Sequence, residues 1–270
     1  NQESAKKMES VLTNESEIGL NKTIETLHNL RVAHTGWQEI LDEFNDLITF
    51  APYSNEAVGL MSIGESGVGK TTLLKMLCCL MKKPKEGEIL FKDRTIGSEC
   101  SLMEYRRKVT MVFQEPLLFD TTVYNNVASG LKFHGIEHSD INAIVMENLE
   151  RFGISHLKGR SAWTLSSGEA RKTSLARALA LKPEILFLDE PFASLDPLAK
   201  DILYSDLERV LPKSGLTVVF ATHDYGDVLR LSHRVAVMEN GKIIQIEDPD
   251  TVLKHPANSF VSSFYRLNRT

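Results

Sequence analysis

The densest chemistry in this chain lies in eight consecutive residues, Gly64, Glu65, Ser66, Gly67, Val68, Gly69, Lys70 and Thr71. They fit G-x-x-x-x-G-K-[ST], a pattern whose backbone N–H groups wrap around phosphate oxygens. Three glycines let the chain turn inward, and a helix starting at the end of the loop adds partial positive charge at the same point. Lys70 would reach the β- and γ-phosphates of a nucleotide, the Thr71 hydroxyl would ligate Mg2+, and Thr72 would complete the phosphate-binding stretch. A Gly-rich turn without a ligand is the plain alternative. Strand, loop, Lys-Thr pair and helix all in register argue against it.

The flanking elements follow from periodicity. Val58–Ile63 is an apolar run that reads as a strand entering the loop, and Thr72–Met81 reads as a helix leaving it. Short strands are expected at Ile24–Val32, Leu47–Phe50 and Gly87–Phe91, the last followed by a polar connection. Val109–Phe113 is a strand that ends at Gln114. Helices are then expected at Asn126–His134 and about Asp140–Phe152, the second capped by Ser139 or Asp140. This helical block, about residues 115–168, reads as an inserted subdomain. Ile185–Leu188 and Thr217–Ala221 are nearly unbroken apolar runs, as in parallel strands buried on both faces. They alternate with helical stretches at Glu169–Leu181, Leu198–Val210 and Tyr225–Leu231, which implies a mostly parallel sheet. Val235–Met238 and Lys242–Ile246, joined by Asn240-Gly241, read as a hairpin.

A parallel sheet binds ligands beyond the carboxyl ends of its strands. Four strands here end in polar groups at that edge: the phosphate loop, Gln114, Asp189-Glu190 and Thr222-His223. Each alone could be a turn residue or a helix cap, and a lone His223 would read as a cap. Together they supply what phosphoryl transfer to water needs. Asp189 suits a Mg2+ ligand acting through water. Glu190 can polarise the attacking water as general base. His223 could donate to the γ-phosphate, and Gln114 is neutral and can hold both water and metal.

The formal net charge of −5 argues against a nucleic-acid binder relying on a basic surface. No apolar run approaches the roughly 18 residues of a membrane span, so any membrane link is expected to go through a partner. Cys78, Cys79 and Cys100 are few and odd in number and do not read as a metal site; Cys78 and Cys79, on the helix after the phosphate loop, read as small buried hydrophobes.

With these residues in place, the chain resembles one family closely, the ATP-binding subunit of ABC transporters. Leu165, Ser166, Ser167, Gly168 and Glu169, followed by Ala-Arg-Lys and Leu175–Leu179, resemble the LSGGQ signature and its helix. Ile185–Pro191 is similar to the Walker B strand with its glutamate, Ala193–Asp196 to the D-loop, Val112–Pro116 to the Q-loop and Ala221–His223 to the switch histidine. The resemblance spans roughly residues 24–264. It implies an α/β P-loop NTPase (RecA-like) fold: a mostly parallel sheet, an antiparallel β subdomain and an inserted α-helical subdomain. A mobile tail at 1–22, a single ABC ATPase domain at 23–264 and a second tail at 265–270 are the expected organisation.

The resemblance further implies two subunits that sandwich two ATP molecules head to tail. Ser166 and the Gly168 backbone of each would close on the γ-phosphate held by the other, and Asp196 would link the two sites. Ser167 and Glu169 depart from the family's Gly and Gln. Ser166 and Glu169 also fit a capping box, S-x-x-E, which gives Glu169 a local explanation. The family stacks an aromatic on the adenine; Trp37 is the candidate, with His34 as competitor and core packing as the plain alternative. The stretch Gly241–Phe264 is similar to the close of a prokaryotic importer subunit. That implies a homodimer or ABC heterodimer, peripheral on the inner, cytoplasmic face of the membrane. Its partners would be a membrane permease and, indirectly, a solute-binding protein, with no nucleic acid. The wording around Glu169 and Asp189 leans toward oxyanion importers of the tungstate or molybdate kind, with amino-acid importers close behind. A soluble ABC ATPase without transport and an exporter subunit are the alternatives.

Overall fold

The computed structural model describes residues 30–33, 59–63, 69–81, 88–92, 94–212 and 216–267. Gly64–Val68, His34 and Trp37, the strand expected at Leu47–Phe50 and the 1–22 segment lie outside the described residues.

A six-stranded sheet positions the site. Its strands are β2 (Gly59–Ile63), β5 (Val109–Val112), β6 (Ile185–Asp189), β7 (Thr217–Thr222), β8 (Arg234–Glu239) and β9 (Lys242–Glu247), in the order β5-β6-β7-β2-β8-β9. All neighbouring pairs are parallel except β8–β9. Every residue of β6 and β7 is buried. Alternation explains why these strands must be apolar throughout. Leu186, Leu188, Val218, Phe220, Val235 and Val237 enter one hydrophobic core, whereas Ile185, Phe187, Val219, Ala221, Ala236 and Met238 enter another. Successive side chains point to opposite faces, so a strand covered on both sides has no polar face. The β8–β9 hairpin turns on Asn240 and Gly241, with φ of 50° and 75°. Two consecutive positive φ values are what a type I′ turn requires, and Asn-Gly provides them at little cost.

A second sheet joins β1 (Leu30–Ala33), β3 (Glu88–Phe91) and β4 (Arg94–Thr95) in antiparallel register. It covers one face of the large sheet through Ile89 and Phe91. Helices α1 (Lys70–Leu77) and α2 (Leu102–Arg106) share that layer. Tyr105 of α2 is fully buried; its hydroxyl donates to the Leu77 carbonyl at 2.6 Å and its ring meets Phe91 edge-on. On the other face, α3 (Val123–Phe133), α4 (His138–Arg151) and α5 (Ser167–Ala180) pack together through Val127, Leu131, Val145, Leu149, Leu175 and Leu179. Helices α6 (Pro197–Val210), α7 (Tyr225–Leu231), α8 (Pro249–Lys254) and α9 (Ser259–Leu267) complete the chain.

Several expected boundaries shift. Helix α1 starts at Lys70 and stops at Leu77, because Cys79 adopts a left-handed φ of 53° and leaves Leu80 and Met81 exposed. Cys79 is accordingly only half-buried, while Cys78 is buried as expected; Cys100 is buried as well. Helix α3 begins at Val123, where the Thr122 side chain accepts from the Asn125 N–H, instead of at Asn126. Helix α4 begins after Glu137 and not at Ser139 or Asp140. The polar connection after β3 contains α2, capped by Ser101.

Candidate functional site

The parallel strands β6, β7 and β2 are adjacent, so their carboxyl ends deliver side chains to one place. Helix α1 starts there. Its N-cap is Gly69 at φ 101°, a left-handed value that Gly adopts without strain. Among the described residues no side chain caps this terminus, and no acid lies in its first turn. Lys70 is 6% exposed, and its ammonium donates to the Thr222 carbonyl at 3.0 Å and lies 3.4 Å from Glu190 Oε1. The Thr71 hydroxyl donates to Asp189 Oδ1 at 2.8 Å. His223 Nδ1 lies 2.8 Å from Glu190 Oε2, its ring largely exposed. Lys70, Thr71, Asp189, Glu190 and His223 thus form a continuous chain of contacts.

Burial pulls the Lys70 ammonium below its ordinary range, against the pull of Glu190 in the other direction. Burial pushes the Asp189 carboxyl up, and the Thr71 hydrogen bond offsets this in part. Glu190 sits at φ 46°, left-handed for a residue with a Cβ, held by its N–H to the Ala221 carbonyl at 2.9 Å. That conformation costs on the order of 1–3 kcal/mol and persists only where its surroundings fix it. Here it turns the carboxylate toward both Lys70 and His223.

The other candidates stand apart from this cluster. Gln114 is exposed just beyond β5, and among the described residues no hydrogen bond joins its side chain to the cluster. Its carbonyl accepts from Arg171 Nη2, and the Phe113 carbonyl accepts from Arg171 Nη1 at 2.6 Å. Arg171, 3% exposed on α5, therefore fixes the start of the Gln114 loop. Sequence reasoning missed it because it sits among polar neighbours on a helix and its partners are backbone atoms of another element. Ser166 is the N-cap of α5 and forms the full capping box: Ser166 N–H donates to Glu169 Oε2 at 2.7 Å, and Glu169 N–H donates to Ser166 Oγ at 3.3 Å. Asp196 caps α6, accepting from the N–H groups of Leu198 and Ala199. A groove of about 440 Å³ runs between these parts, lined by Gln114, Leu117, Trp163, Ser166, Arg171 and Ser194 among others.

Hydroxyl and carboxylate oxygens side by side at Thr71 and Asp189 are the donor set of a hard divalent cation such as Mg2+. Among the described residues no group of three or more His, Cys, Asp or Glu side chains could hold a metal ion, and no helix is long and apolar enough to cross a membrane.

Residues 46–193 match the family model described as "ABC transporter". The chain is 36% identical over 208 residues to the glycine betaine/proline betaine transport system ATP-binding protein ProV of Escherichia coli, covering 76% of this chain and 52% of that protein. It is 39% identical over 203 residues to the spermidine/putrescine import ATP-binding protein PotA of Pseudomonas fluorescens, covering 75% and 55%. It thus spans about half the length of these relatives. Among solved structures, cbiO1 from Clostridium perfringens, described as part of the ABC transporter complex cbiONQ, superposes with a TM-score of 0.67 at 32% identity, covering 75% of this chain and 81% of that one.

Proposed function

Because this chain belongs to the ABC transporter family, we propose that it is an ATP-binding and ATP-hydrolysing subunit that powers solute import through a separate membrane permease. The observation that carries this reading is the linked cluster of Lys70, Thr71, Asp189, Glu190 and His223 at one sheet edge. With ATP in place, Lys70 exchanges its contact to Glu190 for phosphate oxygens, and the α1 N–H groups face the same charge. Glu190, relieved of Lys70, takes the proton of the attacking water, with His223 holding its second oxygen. Thr71, and Asp189 through water, would hold Mg2+, which would neutralise charge on the phosphates. Gln114 approaches from the loop pinned by Arg171.

The signature, Leu165–Glu169, and Asp196 contact none of these groups within the described chain, which supports a site completed by a second subunit. In that head-to-tail dimer Ser166 and Gly168 meet the partner's nucleotide. The position is peripheral, at the cytoplasmic face, beside the permease and indirectly a solute-binding protein. The two relatives are named for betaines and for polyamines. The oxyanion or amino-acid solute suggested by the residues is a choice made by those membrane and solute-binding partners.

The test is phosphate release by the purified chain with Mg2+ and ATP, set beside Glu190→Gln. The variant should bind ATP, lose turnover and accumulate as a dimer on gel filtration. Wild-type turnover in the variant would remove Glu190 as the base.

A further inference from the structure

Beside the proposed hydrolytic cluster lies a second, partly buried one that joins α6 to the turn after β7. Asp227 on α7 is 2% exposed and accepts from three groups: the Thr222 hydroxyl, the Tyr204 hydroxyl and the Lys200 ammonium, the last at 2.8 Å. Lys200 also pairs with Asp224 Oδ2. The Asp224 N–H donates to the Thr222 hydroxyl at 3.1 Å, and Asp224 Oδ1 caps α7 through the Gly226 N–H at 2.7 Å. The Tyr204 ring packs against Phe192, two residues beyond Glu190, and the Arg230 guanidinium lies 4.4 Å from its centre.

Thr222 connects the two clusters. Its hydroxyl belongs to the second one, its carbonyl accepts from Lys70, and the next residue is His223. Two carboxylates, Asp224 and Asp227, share one ammonium, Lys200. Burial pushes the Asp227 carboxyl up, so without Lys200 it would take up a proton or move toward water. Either change alters what Thr222 bonds to. Lys200 in turn sits on the first turn of the helix capped by Asp196, so a displacement of Asp196 reaches the His223 turn through a single side chain.

We infer that Lys200 is a positioning residue of the hydrolytic site: clamped between Asp224 and Asp227, it sets the Thr222–His223 turn and ties it to the helix that Asp196 begins. The inference rests on the proposed function only for its catalytic consequence. A simpler role as fold-stabilising glue predicts a lower melting temperature with the site unmoved, so the test reads the site itself.

The experiment compares wild type, Lys200→Met and Lys200→Arg by ATP turnover and by NMR of 15N-histidine-labelled protein, with His223 assigned from the His223→Gln spectrum. Lys200→Met should shift the His223 ring resonances. It should also lower kcat roughly tenfold to a hundredfold, as a small misplacement of reacting groups does, while the KM for ATP stays within about twofold. Lys200→Arg should restore most of both. If Lys200→Met does not fold, Asp227→Asn should give the same His223 shift. Unmoved His223 resonances, or wild-type kcat in Lys200→Met, would overturn the inference. A wild-type chain that hydrolyses no ATP would instead sink the functional reading, and the His223 spectrum would still decide the role of Lys200.

Discussion

Two helix N-termini in this chain are both proposed to meet a nucleotide phosphate, and they are built in opposite ways. Helix α1 begins at Gly69 with no side-chain cap among the described residues and no acid in its first turn. Helix α5 begins at Ser166 with a complete capping box and Glu169 in its first turn. A helix start leaves four N–H groups without intrahelical partners. At α1 no described side chain takes these N–H groups as a cap, and Lys70 adds a charge. At α5 two of the N–H groups, those of Ser166 and Glu169, are already taken by the chain's own side chains. The first terminus, if it holds phosphate as proposed, does so with a lysine at its first position and no acid in its first turn. The second is stable without a ligand and offers only the Ser166 hydroxyl and the remaining N–H groups to a phosphate brought from outside.

The comparison breaks first at α1. Lys70→Ala should lower ATP turnover by roughly 10²- to 10³-fold, the effect of losing one donor aimed at developing charge, as read by phosphate release. A smaller loss would mean that the helix terminus alone carries the phosphate. The next test copies the chemistry of α5 onto α1. Thr72 is exposed in the first turn, and Thr72→Glu places a carboxylate where α5 has one. ATP affinity, measured by titration calorimetry, should weaken roughly tenfold through like-charge repulsion. Unchanged affinity would show that an acid at such a terminus does not oppose phosphate, and the contrast between the two helices would lose its meaning.

How far this contrast was legible in the sequence depends on where each partner lies. The capping box is local: Ser166 and Glu169 are three residues apart and bond each other, so their types and spacing suffice. The hairpin at Asn240-Gly241 is legible for the same reason, and β6 and β7 because burial on both faces forces an apolar run. The end of α1 was not legible. Leu80 and Met81 continue the apolar periodicity, yet the chain turns at Cys79 and Arg106 donates to the Cys79 carbonyl from another element. Arg171, Lys200, Tyr204 and Asp227 were hidden more deeply. Polar residues on helices read as solvent-facing, and nothing in their spacing reveals that Arg171 reaches the Phe113 carbonyl or that Asp227 meets Thr222 and Lys200. Asp189, Glu190 and His223 were readable as candidates because they lie at strand ends; Arg171, Lys200 and Asp227 lie within helices and were not.

A smaller effect is expected at the α5 cap. Ser166→Ala removes the acceptor for the Glu169 N–H and should cost about 1 kcal/mol. In a domain of this size that is a fall of roughly 2–4 °C in Tm by calorimetry. An unchanged Tm would mean that the cap is held by Glu169 alone.

The smallest effect, and the sharpest on the comparison, is Glu169→Gln. Gln can accept from the Ser166 N–H as Glu does, but without charge. The Glu169 carboxyl is held below its ordinary range, chiefly by the Ser166 N–H and with help from Arg160, whose Nη1 lies 3.4 Å away. A carboxylate with a depressed folded pKa stabilises fully above its unfolded value, about 4.3, and loses that contribution as pH falls through the folded value. Wild type should therefore melt slightly above Glu169→Gln at pH 7, and the two should converge only once the pH has fallen below the depressed folded-state value of Glu169. For turnover the sign reverses. If the α5 terminus approaches a phosphate in a partner subunit, removing its carboxylate relieves repulsion, and Glu169→Gln should lower the KM for ATP by about two- to fivefold, a few tenths to 1 kcal/mol for a charge near a helix terminus. The same variant would then destabilise the isolated chain and tighten its nucleotide-bound pair. Identical turnover kinetics in the two proteins would confine Glu169 to its capping role.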